Sequence, residues 1–329
     1  MENHNIWVDK YQPRTLNDII GHKNIVNNLK HFTKHPNIPN IIITGISGIG
    51  KTTSILCFLK ELVRNNITEP YKFSDYVLEL NASDDLRKID IIKKKIKSFI
   101  QKKNKFNFVL LDEFDNMITQ TQYVLRSLMD IYINNSRFIL ICNDLHNIIE
   151  SIKSRCIIIK YSKLNSEDMK FGLKNIIKQE NIKISNHALN TIIKCSDGDY
   201  RKSINNLQTV YTSFQDQYIE EKEVYFMLDM PHTKTIYVII KRCINGTEFV
   251  QNLKDINNLF KVKGYTLIDL ITVMLSICQN IDMDEHLKIQ FIEEISFTHI
   301  KIIDGLNTIN QIIGLVSKLY VRSKNYKNV

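Results

Sequence analysis

The chain has 329 residues, with 44 basic and 35 acidic side chains and a net charge of +9. Its length allows roughly two or three domains with ample core, and its charge suits an anionic partner. Six dispersed cysteines without a C-x-x-C pair read as reduced intracellular thiols and exclude a disulfide framework or a zinc site. The polar N-terminus and the lack of a long uncharged apolar stretch exclude a signal peptide and a membrane span.

Residues 1–20 carry the only tryptophan, Trp7, followed by Val8, Tyr11 and Pro13. This density of apolar and aromatic side chains predicts an ordered arm packed on the next domain. Ile25, Leu29 and Phe32 give a helical period over 24–32, and Pro36 and Pro39 end it. Ile41 to Ile43 is a short apolar run, the mark of a buried strand. Gly45 to Thr52 then spells G-x-x-x-x-G-K-T, the phosphate-binding P-loop. Its glycines, Gly45, Gly48 and Gly50, let the backbone turn its N–H groups inward. Lys51 can reach the β- and γ-phosphates of a nucleotide, and the Thr52 hydroxyl can hold Mg2+. The apolar period from Thr53 to Leu62 predicts a helix whose N-terminus favours an anion.

A second strand is expected over 76–80, ending in Asn81-Ala82-Ser83-Asp84-Asp85. Residues 89–100 have Ile89, Ile92, Ile96, Phe99 and Ile100 on one helical face, with Lys93 and Lys97 on another. The segment from Arg87 to Lys105 holds nine Lys or Arg and a single acid, Asp90. Such a face binds phosphates by counterion release or is simply solvated, and periodicity leaves both open.

A third strand, 108–111, runs into Asp112-Glu113. After a P-loop, this acidic pair reads as the Walker B element, with Asp112 in the Mg2+ shell and Glu113 on the attacking water. A helix is expected over 123–132. The fourth strand, 138–142, ends at Asn143, placed either to hold that water or only to form a turn before Asp144. A short helix over 148–152, Ser154-Arg155-Cys156 and a fifth strand over 157–159 follow. Strands alternating with helices predict a parallel sheet with ligand at the strands' C-terminal ends.

Beyond Tyr161 the strand signals stop. Ser166 is expected to cap a helix reaching about Gln179, Ser185 to open a second, and Gly198-Asp199 to precede a third. Ile204, Leu207 and Tyr211 face inward on that third helix. Arg201 sits in its first turn, against the helix dipole, which favours a functional role over plain exposure. The stretch looks like a small helical lid. From Met230-Pro231 the pattern is helical throughout, with breaks near Gly246, Gly264, Asp282 and Asp304-Gly305. The last helix is expected to show Leu306, Ile309, Ile312, Ile313, Val316, Leu319 and Tyr320 on one broad face, which could be core or a subunit interface.

Several of these boxes, in this order, resemble the small subunits of replication factor C, the clamp loader within the AAA+ ATPases. Residues 7–16 resemble the family's opening box, and the run from Glu79 to Asp85 is its most distinctive match. Phe138 to Asn143 resembles sensor 1, and Ser154-Arg155-Cys156 the SRC element. Gly198-Asp199-Tyr200-Arg201 with Asn205 to Gln208 resembles sensor 2. The bacterial type of loader is disfavoured because its cysteine zinc cluster is missing.

The resemblance implies an α/β fold. It implies a RecA-like, parallel-sheet P-loop domain over 1–161, a helical lid over 162–229, and an all-α collar over 230–329 that joins five subunits into a ring. It implies ATP and Mg2+ as cofactors and an ATPase stimulated by DNA and clamp. The ATP contacts it implies are Val8, Tyr11 and Pro13 near the adenine, then Gly45, Ile46, Ser47, Gly48, Ile49, Gly50, Lys51, Thr52 and Thr53, with Asn143 and Arg201. Thr52 and Asp112 would hold the metal. Glu113, Asn143 and Lys51 would act in hydrolysis, and Arg155 would enter the neighbouring subunit's site in trans. Arg87, Lys93 and Lys97 would follow primer-template DNA. The partners implied are the other loader subunits and a PCNA-type sliding clamp, with no membrane. The place of action implied is the nucleus, or a viral replication site for a viral protein.

The sequence departs from the family pattern in Phe114, where Asp-Glu-Ala-Asp is usual, and in Ile46, Ser47 and Ile49, where Pro, Pro and Thr are usual. Around Leu86 to Lys88 it carries one extra residue. Two competing readings are a structural subunit that binds ATP without hydrolysing it, and an AAA+ branch-migration or helicase motor. Glu113 and Asn143 speak against the first, and the Glu79 to Asp85 and SRC boxes against the second.

Overall fold

The computed structural model of the chain describes residues 6–34, 38–66, 72–82, 89–101, 107–214, 217–229 and 231–327, without the side chains of 89–93 and 327. The chain divides into two compact units, residues 1–219 and 220–329.

The first unit opens with α1 (Trp7–Lys10), a 3-10 turn (Leu16–Asp18) and α2 (Lys23–Phe32). Then come β1 (Asn40–Thr44), α3 (Lys51–Asn66), α4 (Phe73–Tyr76), β2 (Val77–Asn81), α5 (Ile89–Ile100) and β3 (Asn107–Asp112). They are followed by α6 (Thr119–Ile131), β4 (Ser136–Cys142), α7 (Glu150–Lys153) and β5 (Cys156–Lys160). Among the described residues the five strands form one sheet in the order β2-β3-β4-β1-β5, and every pairing is parallel.

The unbroken Ile41-Ile42-Ile43 run follows from burial on both faces, the condition of a central parallel strand. Ile42 packs with Leu111, Leu125 and Leu140 on one side of the sheet. Ile41 and Ile43 pack with Leu29, Phe58 and Ile141 on the other. All three isoleucines are fully buried. The strand order sets β3, β4 and β1 side by side, so their C-terminal ends open onto one edge of the sheet.

Several element ends differ from the sequence reading. Helix α3 starts at Lys51, two residues before the apolar period, because the P-loop itself winds into the helix: the Ser54 N–H donates to the Gly50 carbonyl at 2.9 Å. The second strand starts at Val77, since Tyr76 closes a single helical turn. Helix α6 begins at Thr119 because its first turns are polar, with Thr121 and Gln122 nevertheless buried.

Three further helices complete this unit: α8 (Ser166–Gln179), α9 (Asn186–Ser196) and α10 (Tyr200–Ser213). Met169, Leu173, Ile192, Leu207 and Val210 are buried among them. Asn165, not Ser166, holds the N-cap of α8, and no side chain caps it by hydrogen bond. Ser185 and Asp199 do cap α9 and α10, accepting from the Ala188 and Lys202 N–H groups.

The second unit is helical: α11 (Glu221–Met227), α12 (Thr233–Asn245), α13 (Phe249–Asn257) with a π-turn over Asn258–Val262, α14 (Leu267–Asn280), α15 (Glu285–Ile303) and α16 (Ile309–Lys327). Gly246 ends α12 in the left-handed region, at φ 67°, the conformation that favours glycine. Ile240, Ile271, Phe291, Ile295 and Val316 centre the core. Leu306 lies before α16 and is 53% exposed, so it leaves the predicted face, and Leu315 is buried there instead. No described helix is long and apolar enough to cross a membrane, and none of the six cysteines is paired.

Candidate functional site

The P-loop leaves β1 and turns through Gly48 at φ 69° and Gly50 at φ 89°, both in the region that glycine occupies without strain. Gly48 is also tightly enclosed, so a larger residue would be both strained and crowded there. A Cβ there would stand 1.8 Å from Asp199 Oδ1, the cap of α10. The Gly48 carbonyl also accepts from the first N–H groups of α10, Tyr200 at 3.1 Å and Arg201 at 3.3 Å. The P-loop turn and the start of α10 therefore meet directly.

Lys51 is 7% exposed. Its ammonium donates to the carbonyls of Gly45 at 2.6 Å and Ile46 at 2.7 Å, and to Asn143 Oδ1 at 2.8 Å. Burial lowers its pKa, with Asp112 the largest opposing influence, so the site holds a cation at a solvation cost that anionic ligand would offset. The Thr52 hydroxyl donates to Asp112 Oδ2 at 2.8 Å. The Glu113 N–H donates to Asp112 Oδ1 at 2.8 Å, and Glu113 itself turns the chain at φ 52°. Asp115 Oδ2 receives the N–H groups of Asn143 and Asp144, each at 3.1 Å. This third acid of the Walker-type element thus fixes the backbone from which Asn143 reaches Lys51.

Lys51, Thr52, Asp112, Glu113 and Asn143 line one cleft of about 410 Å3. It gathers Ser47 to Thr53, Asp112, Glu113, Asn143 and Arg201 with Val8, Tyr11 and Pro13 of the arm. Gly45 and Ile46 stand just behind, holding Lys51 through their carbonyls. Ile19, Ile20, Leu164, Tyr200 and Ile204 complete an apolar wall that the sequence did not announce. A polar, cationic floor beside an apolar wall matches a ligand with phosphates at one end and a flat base at the other. Thr52 and Asp112 fit a hard divalent cation by their oxygen donors and mutual contact.

Arg155 does not line this cleft. It lies between α7 and β5, with Nε 2.7 Å and Nη2 3.2 Å from the Asp130 carboxylate of α6. Nη1 donates to the Ser151 carbonyl at 2.7 Å. Lys97 is half-buried on α5, whereas Lys94 and Lys95 are exposed. Arg87 and the Lys93 side chain lie outside the described residues.

Residues 1–209 match the family described as the Rad17 P-loop domain, and residues 231–318 match the Replication factor C C-terminal domain. Replication factor C subunit 4 of Saccharomyces cerevisiae is 37% identical over 320 residues, 95% of each chain. Replication factor C subunit 2 of Arabidopsis thaliana is 36% identical, covering 96% of this chain and 93% of that protein. The replication factor C small subunit of Saccharolobus solfataricus is 35% identical, covering 98% and 96%. Among solved structures, the RuvB Holliday junction branch migration motor of Thermotoga maritima superposes with a TM-score of 0.55 at 17% identity, over 80% of this chain and 90% of that one. That likeness speaks for the fold alone.

Proposed function

The chain belongs to the replication factor C family of small subunits, and from that premise we propose that it is an ATPase subunit of a clamp loader. In this reading ATP binding lets a five-subunit ring grip and open a PCNA-type sliding clamp around primer-template DNA. Hydrolysis, stimulated by DNA and clamp, then releases the closed clamp. The protein acts where DNA is replicated, the nucleus or a viral replication site. Residues 1–161 serve as the ATPase domain, 162–229 as the lid and 230–329 as the collar.

The observation that carries this reading is the convergence of Lys51, Thr52, Asp112, Glu113 and Asn143 on one cleft at the sheet's edge. Lys51 meets the β- and γ-phosphates. Thr52 and Asp112 hold Mg2+, which when bound neutralises phosphate charge. Glu113 orients and deprotonates the attacking water. Asn143 bridges that water and Lys51, with its backbone held by Asp115. Arg201 approaches the γ-phosphate from α10. Val8, Tyr11 and Pro13, with the apolar wall, enclose the adenine. Arg155 serves the neighbouring subunit's site, which suits its position outside this chain's own cleft. Arg87, Lys93 and Lys97 contact the DNA backbone.

A clamp-loading assay tests the proposal. The subunit is assembled with its partner subunits, and transfer of labelled clamp onto primed circular DNA is followed. ATP-dependent transfer that disappears with Lys51→Ala supports the reading. Transfer that proceeds unchanged with Lys51→Ala contradicts it.

A further inference from the structure

Tyr11 faces two ways. It lines the cleft beside the P-loop, and its hydroxyl donates to Glu180 Oε1 at 2.5 Å. The Lys10 ammonium donates to the same oxygen at 2.6 Å. Glu180 is the C-cap residue of α8, and its own N–H is anchored on the Ile176 carbonyl at 2.9 Å. A second fastening lies one turn back along the arm. The Trp7 N–H donates to Gln208 Oε1 at 2.9 Å, and the Trp7 ring packs 5.3 Å from Tyr211 of α10. The arm that forms one wall of the cleft is thus tied to α8 and α10.

The two donors on Glu180 are unequal. Lys10 is 46% exposed and Glu180 only 17%, so solvent screens most of the ion pair. The Tyr11 hydroxyl is the better sheltered donor, and a phenol donating to a carboxylate makes a short, charge-assisted bond. Burial pushes the Glu180 carboxyl up, but the bonds from Lys10 and Tyr11 outweigh it and the net shift is down. The carboxylate is therefore charged, and it is this charged oxygen that holds the tyrosine.

We propose that Glu180 is a positioning residue for the base of a bound purine nucleoside triphosphate: it fixes Tyr11 against the cleft and so couples base occupancy to the placement of α8. The proposal rests on reading the cleft as a nucleotide site. It assigns Glu180 no contact with the phosphates, which sit at the far, cationic end around Lys51.

The test uses the full chain and two probes with Mg2+, ATP and inorganic tripolyphosphate. Glu180→Ala and Tyr11→Phe should each weaken ATP about three- to tenfold and leave tripolyphosphate affinity unchanged. Glu180→Gln keeps an acceptor for the hydroxyl and should recover part of the loss. The Tyr11→Phe/Glu180→Ala pair should be no weaker than the worse single variant. Thermal midpoints of the variants show that the chain still folds, and the glutamine variant provides the comparison if alanine does not. A wild-type preference for ATP that survives Glu180→Ala, or an equal loss for both probes, overturns the proposal. A wild-type chain that binds ATP no better than tripolyphosphate overturns both it and the nucleotide-site reading.

Discussion

Phe114 stands where the family pattern carries alanine, directly after the two acids of the cleft. It is fully buried and packs in the layer that contains Met117, Leu125, Cys142 and Ile148. Its side chain therefore belongs to the core beneath the site, while Asp112 and Glu113 turn to the cleft. Phe114→Ala should cost about 3–5 kcal/mol through the cavity left behind, and ATP affinity should stay near wild type in chains that remain folded. Denaturant midpoints and ATP titration check this together. At this scale the polar floor of the cleft can be read from sequence because its chemistry needs neighbours in the chain: G-x-x-x-x-G-K-T, or an apolar run ending in Asp-Glu. The apolar wall cannot. Ile19, Leu164 and Ile204 carry no chemical signature, and the fold brings them together from distant segments. The same holds for Asp130 and Glu180, whose partners Arg155 and Tyr11 lie 25 and 169 residues away.

Elements read well wherever one physical signal dominates. The strands β1, β3 and β4 are nearly continuous apolar runs, as burial on both faces demands, and each hands a polar residue to the sheet's edge. Helices with polar opening turns, such as α6, begin earlier than their apolar period suggests. On α15 and α16 the decisive feature is a charge cluster. Glu294, 8% exposed, accepts from Lys318 at 2.9 Å and from Arg322 Nη2 at 3.0 Å. The Lys318 bond is the main cause that holds its carboxyl below the ordinary value of 4.5. A carboxyl depressed by folding adds stability above its unfolded pKa and loses it as pH falls through the folded one. Both cations are about half exposed, so screening leaves about 0.5–1 kcal/mol. Glu294→Gln should lower the unfolding free energy by that amount at neutral pH. The gap should close as pH falls below 4.5, when the wild-type carboxyl takes up its proton. Parallel urea titrations of the two chains across that range measure it.

At the scale of the whole molecule, the change at Tyr161 from alternating strands and helices to helices alone is plain in the sequence. What the sequence does not carry is how closely the following helices join the sheet. Gly48 touches the start of α10, and Trp7, Lys10 and Tyr11 reach α8 and α10, so residues 1–219 form one compact unit. A cleft walled by arm, P-loop and α10 can pass ligand occupancy to the rest of that unit, which is what a nucleotide-driven machine requires. In the proposed ring, Arg155 is the link between subunits. Its guanidinium is held by Asp130 and Ser151, which fixes it in place within this chain. An arginine supplied in trans is typically worth about 10³–10⁵ in rate at the site it enters.

The most direct measurement is ATP turnover by the assembled complex, with and without primed DNA and sliding clamp, comparing wild type with Arg155→Ala. DNA and clamp together should stimulate the wild-type complex. Arg155→Ala should remove the share of that turnover arising at the neighbouring site, while the variant subunit still binds ATP in its own cleft. A wild-type complex that binds ATP without stimulated turnover, or a stimulated turnover indifferent to Arg155, would contradict the account.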